Sequence, residues 1–133
     1  MKPLDRQAEV VFRKLTEGLQ KVGDCQKVDG SILAEFVEQT KLGPIIAIKR
    51  FFELPNGRFV RDTDVAFLIS SIEAITGNLV KDKDEQVYPV SRWRNGLKED
   101  ALVVHNGQWN VRLELQNKIC QFAERWMLDI SDQ

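Results

Sequence analysis

Residues 45–70 read IIAIKRFFELPNGRFVRDTDVAFLIS, and the way they pair decides the fold. Asn56-Gly57 is a strong turn signal, because these two residues tolerate the positive φ of tight hairpin turns. Residues 45–54 before the turn are rich in β-branched and aromatic side chains, as strands are. Their apolar content on both faces suits a central strand or one covered by helices. After the turn two periods compete. As a strand, residues 58–69 return antiparallel to 45–54. As a helix, Val65, Leu68, Ile69, Ile72 and Ile75 recur at three and four, with Asp62 or Thr63 as cap and Gly77 as stop. We adopt the strand through residue 69.

That choice sets a register. With Gly57 left-handed in a three-residue loop, Arg50 faces Asp62 and Phe52 faces Val60. A cross-strand pair of opposite charges contributes roughly 0.2–1 kcal/mol. Asp62 and Asp64 then share one face, and two carboxylates on a strand could hold a divalent ion. No histidine or further acid at fixed spacing completes a ligand set, so a charged hairpin surface is the simpler reading. If residues after Thr63 were helical, the acids would serve as caps.

Outward from the hairpin, the pattern changes twice. Leu4, Ala8, Val11, Phe12, Leu15, Leu19 and Val22 form one apolar stripe that predicts a helix over 3–22, with Pro3 in its first turn and Gly23 as its stop. CQKVDGSILAEFVEQ (25–39) holds Asp29-Gly30, a hairpin signal, followed by a strand with Ile32, Ala34 and Phe36 on its apolar face. KLGP (41–44) ends that strand. Residues 77–86 are polar and predict an exposed loop. VYPVSRW (87–93) predicts a strand at a sheet edge, since Pro89 has no N–H for a ladder. RNGLKED (94–100) predicts a turn, and ALVVHNGQWNVRL (101–113) a hairpin around Asn106-Gly107. A last helix from 114 to 130 has Leu115, Ile119, Phe122, Trp126 and Ile130 as its stripe, flanked by Cys120, Ala123 and Met127. The expected fold is a single α+β domain over 1–133. It has an antiparallel sheet of about five to six strands, with the N- and C-terminal helices packed on one face.

The chain has 133 residues, a length that suits one domain. Nineteen Lys and Arg residues against 20 Asp and Glu leave a formal net charge of -1. That argues against a generic nucleic-acid binder, which is normally basic, and equally against an acidic mimic of nucleic acid. MKPLDRQAEVVFRKL (1–15) places charges where the apolar core of a secretory signal would sit. The longest apolar runs are about five residues, far short of the roughly 20 of a membrane span. Cys25 and Cys120 lack C-x-x-C spacing and are too few for a disulfide scaffold. A soluble cytoplasmic protein is expected.

No catalytic, cofactor-binding or metal-ligating set is read. His105 adjoins Asn106-Gly107 and fits turn chemistry better than a general base. Neither cysteine has a local positive cluster that would activate it, so both read as small apolar fillers. KDKDE (81–85) fails as a calcium loop, because position 12 counted from Asp82 is Trp93 instead of Glu. SRWRNGLK (91–98) is the best candidate interaction patch. Arg92, Trp93, Arg94 and Lys98 interleave a stacking ring with cations, as single-strand nucleic-acid sites do. On a strand, Arg92 and Arg94 point one way and Trp93 the other. The competing reading makes Trp93 core and the arginines a charged edge that discourages sheet-to-sheet pairing.

Three features in order, Asn56-Gly57 with Asp62 and an apolar strand, then YPVSRWRNGL (88–97), then FAERW (122–126), resemble a small domain of unknown function carried by bacterial phages, plasmids and other mobile elements. The resemblance covers about residues 45 to 130, with a longer insert at 70–86 in this chain. It implies a mobile-element accessory protein and carries over no activity. The expected function is a non-enzymatic protein-interaction module, a homodimer being one form of it. The alternatives are a weak nucleic-acid binder using the 92–98 patch, or a small-ligand binder or enzyme with a pocket between sheet and helices.

Overall fold

A computed structural model describes residues 1–72 and 84–132. The elements run α1 (Arg6–Thr16), β1 (Cys25–Lys27), β2 (Ile32–Gln39), β3 (Pro44–Glu53), β4 (Phe59–Ser70), β5 (Gln86–Arg94), β6 (Leu97–Asp100), β7 (Leu102–His105), β8 (Gln108–Val111) and α2 (Leu113–Ser131). The fold is α+β. Strands β1 to β6 form one antiparallel sheet in chain order, and β7 and β8 form a separate hairpin sheet.

The competition at residues 58–76 is resolved for strand as far as Ser70, because β4 pairs with β3 on one side and β5 on the other. The expected loop at 77–86 and the acidic run 81–85 lie outside the described residues up to position 83. Gln86 belongs to β5. The hairpin register holds near the turn, where Phe52 pairs with Val60. It then shifts at a β-bulge, so Arg50 lies opposite Thr63 instead of Asp62. The ion pair survives the shift: Arg50 Nε donates to Asp62 Oδ2 at 2.8 Å.

One face of the sheet carries Ile32, Ala34, Phe36, Ile46, Ile48, Val65, Phe67 and Val87 against both helices. Phe12 of α1 meets Phe67 of β4 with ring centroids 4.7 Å apart. The opposite face is partly covered. Leu68, Tyr88 and Val90 form a second cluster there with Met1 and Ile72, and Leu102 and Val111 of the β7–β8 hairpin pack against it.

The first helix is shorter than the 3–22 stripe predicts. It starts at Arg6 and is capped by Asp5, whose side chain accepts the Ala8 N–H at 2.8 Å. Pro3 lies before the helix, next to Leu4, whose N–H donates to the Val87 carbonyl. At the other end the Gln26 side chain takes over the unpaired groups of the last turn. Its amide donates to the Leu15 carbonyl and its oxygen accepts the Gly18 N–H. The stop is therefore set by Gln26 of β1, and Gly23 lies beyond it.

Pro89 does not mark an edge. Strand β5 lies between β4 and β6, but β6 pairs only with Ser91–Arg94, so Pro89, next to the bulge against β4, has no β6 partner to miss its N–H. Its carbonyl accepts from Gln116 of α2. Gln116 is 1% exposed. It also donates to the Lys2 carbonyl and accepts the Lys2 N–H, tying the chain start to α2 and β5. The residues expected to flank the α2 stripe are its centre: Cys120, Ala123 and Met127 are fully buried, whereas Leu115 and Phe122 are only partly so. RNGLKED is a turn only at Asn95-Gly96: Arg94 ends β5, and Leu97–Asp100 is strand β6.

Gly43 sits between β2 and β3 with φ +143°, and a Cβ there would collide with the Ile69 carbonyl. Gly57 has φ +85° and open space around it. Gly57→Ala is expected to cost about 1–2 kcal/mol of strain alone, and Gly43→Ala clearly more, measured by urea denaturation. Gln116→Leu leaves three backbone groups without their partner and is expected to cost about 2–3 kcal/mol or more in the same assay.

Candidate functional site

Strand alternation separates the four patch residues. Arg92 and Arg94 face α2, whereas Trp93 and Lys98, cross-strand neighbours, face the other way. The patch is therefore not one surface. Trp93 is half-buried beneath Arg61, whose guanidinium lies 4.1 Å from the ring centroid. Arg61 also pairs with Asp64.

The bulge at Arg50 divides the acids as well. Asp62 joins Arg50 on the helix-facing side, and Asp64 takes the opposite side with Arg61. The expectation that Asp62 and Asp64 share a face is corrected, because the extra residue in β4 shifts the alternation between them. Among the described residues no group of three or more His, Cys, Asp or Glu side chains could hold a metal ion.

On the helix side the arginines border an open cleft of about 540 Å³. Strands β3 and β4 contribute Arg50, Asp62 and Thr63, and β5 contributes Arg92 and Arg94. Helix α2 contributes Lys118, Gln121, Phe122, Arg125, Trp126 and Asp129. These six recur at three and four, so they lie along one side of the helix, next to its buried stripe.

Arg92 is 8% exposed, and a charge this buried requires a partner. Its Nε and Nη2 both donate to Glu99 Oε1, at 3.0 and 2.7 Å. Losing one member of such a buried pair costs about 3–5 kcal/mol. The exposed Lys98–Asp100 pair, at 3.8 Å, is worth about 0–1 kcal/mol at most. Phe122 and Trp126 stack with centroids 6.1 Å apart. The Arg92 and Arg94 guanidiniums lie 5.0 and 5.2 Å from the Phe122 centroid, and Arg50 lies 5.9 Å from that of Trp126. Cations over aromatic faces are held by the ring quadrupole.

Arg94, Lys118 and Arg125 are exposed, and among the described residues none has a carboxylate within ion-pair distance. The sequence reading identified Arg92 and Arg94 but missed Arg50, Lys118 and Arg125 as members of the same site. The local signal was Lys118 and Arg125 flanking Phe122 at helical spacing. What those residues meet depends on the packing of α2 against β5.

The other candidates lie outside the cleft. His105 is exposed in β7 beside its turn. Cys25 is exposed and Cys120 buried, both as free thiols. Burial, with the nearby Glu124 carboxylate, pushes the Cys120 thiol up to about 12. The two thiols differ accordingly: DTNB at neutral pH is expected to titrate Cys25 alone in the folded protein and both cysteines in denaturant. Reaction of both in the folded protein would contradict the burial of Cys120.

Compared with protein-family models, curated proteins and solved structures, the chain matches none significantly. No helix among the described residues is long and apolar enough to cross a membrane.

Proposed function

We propose that the chain is a non-enzymatic binding module whose ligand is anionic and docks in the cleft between α2 and strands β3–β5. The observation that carries this reading is the surplus of cations there. Five cationic side chains line the cleft, and Arg94, Lys118 and Arg125 have no carboxylate partner among the described residues. The cleft volume lies within the range of small-ligand sites. Seven of its lining side chains are charged and five of those are cationic, which suits recognition of an anion by charge. Two free thiols suit a reducing compartment, in keeping with a cytoplasmic protein. The mobile-element resemblance suggests an accessory role and adds no mechanism.

A second reading, a protein-interaction or self-association module, is favoured by the β3–β4 hairpin tip. Phe52 and Phe59 there are 47% and 59% exposed. Isolated exposed apolar residues are common, so this supports it less than the cationic cleft supports an anion.

Titration calorimetry at low ionic strength tests the anionic ligand, with sulfate, citrate, pyrophosphate and a short oligonucleotide as probes. At least one is expected to bind, more weakly as salt rises. The Arg94→Ala, Arg125→Ala double variant is expected to lose about tenfold or more, since hydrogen bonds to charged groups are worth about 1.5–3 kcal/mol each. Both side chains are exposed, so the variant retains its core. Silence from all four probes removes the reading.

A further inference from the structure

The structure carries a narrower assignment, which rests on the anionic-ligand reading above: we infer that the cleft recognises a compact phosphate dianion, free or as a monoester, on a small molecule, and not a stretch of single-stranded nucleic acid.

Stacking is the first argument. Single-strand sites combine a basic track with open aromatic faces on which successive bases lie. The cleft offers no such face. Trp126 is 3% exposed, which leaves no room for a base on its ring. Phe122 is half-buried, and two guanidiniums already lie within about 5 Å of its centroid. Trp93, the ring that made the 92–98 segment look like a single-strand site, lies on the opposite face beneath Arg61. The aromatic groups here orient the arginines.

Charge is the second. Arg50, Arg92, Arg94, Lys118 and Arg125 bring five positive charges, against one each on Asp62 and Asp129 in the lining and on Glu99 beside Arg92. Two positive charges remain unmatched. They are concentrated at one cleft on a chain whose formal net charge is -1, a basic spot and not a track. A phosphate monoester brings about 1.5–2 negative charges on three terminal oxygens, whereas each diester of a nucleic-acid backbone brings about one.

Donor geometry is the third. Arg50 reaches Asp62 Oδ2 through both Nε and Nη2, and Arg92 reaches Glu99 Oε1 in the same way. Each carboxylate thus engages one side of its guanidinium. Nη1 of both arginines makes no hydrogen bond among the described residues. The ion pairs fix the two forks while leaving a donor on each for a tetrahedral anion, and Arg94 and Arg125 supply further donors.

Amide-detected NMR titration of the full chain tests this, with methyl phosphate, dimethyl phosphate, inorganic phosphate and a ten-nucleotide oligothymidylate lacking terminal phosphates. Methyl phosphate is expected to shift the resonances of Arg94, Phe122 and Arg125 saturably and to bind at least tenfold more tightly than dimethyl phosphate. The Arg94→Ala, Arg125→Ala variant is expected to lose about tenfold while its remaining spectrum shows an intact fold. Either order of inorganic phosphate and methyl phosphate supports the inference, and the tighter ligand names the source. Equal binding of mono- and diester, or binding of the oligonucleotide tenfold more tightly than methyl phosphate, overturns the inference and leaves an anion-binding cleft. Silence from methyl phosphate and inorganic phosphate overturns the inference; silence from sulfate, citrate, pyrophosphate and the oligonucleotide as well removes the reading it rests on.

Discussion

The long antiparallel ladder between β3 and β4 is the constraint on which the remaining structure depends. It lies at the centre of the six-stranded sheet, and its pleat fixes which side chains meet the helices. Ile46, Ile48, Val65 and Phe67 point to α1 and α2, and their burial positions both helices. A one-residue slip would carry this whole set to the other face. The bulge opposite Arg50 is such a slip, confined to one position. It leaves the apolar set intact and moves Asp62 to the helix side while Asp64 stays opposite.

The cleft follows from that geometry. Arg92 is taken into a nearly dry position only because Glu99 on the adjacent strand and Phe122 on α2 receive it. Its neighbour Arg94 remains at the mouth. Helix α2 buries Ile119, Ala123 and Met127 and thereby holds Lys118, Phe122 and Arg125 along the rim. One set of packing contacts thus creates both the core and a concentrated positive charge on a nearly neutral chain. The Gln116 side chain secures the other end of the same helix against Lys2 and Pro89. A buried polar group with this many partners specifies one arrangement, since any shift leaves backbone groups unsatisfied.

Where the sequence reading failed, a partner distant in sequence had overridden a local rule. The apolar stripe continues through Leu19 and Val22, yet α1 ends at Thr16 because Gln26 satisfies its last turn. Pro3 fits a first helical turn, yet Leu4 is bonded to Val87 of the sheet and the helix begins only after Asp5. Pro89 is a sound edge signal, but β6 pairs with the later half of the same strand, so β5 is internal while Pro89 itself stays beyond the reach of that ladder. The α2 stripe was rotated because Leu115 and Phe122 outrank Cys120 and Ala123 in hydrophobicity, whereas close packing favoured the smaller residues at the centre.

By itself the sequence determined the α+β class, the hairpins at Asp29-Gly30, Asn56-Gly57 and Asn106-Gly107, and the opposed directions of Arg92 and Trp93. Turn chemistry and a period of two are local properties, written in neighbouring residues. Only the tertiary structure decided that Arg92 and Arg94 belong with Arg50, Lys118 and Arg125, and that Trp93 and Lys98 do not. Those groupings depend on which face of the sheet a helix covers and where a bulge falls. Both are set by how buried surfaces fit together across the chain, which no local pattern encodes.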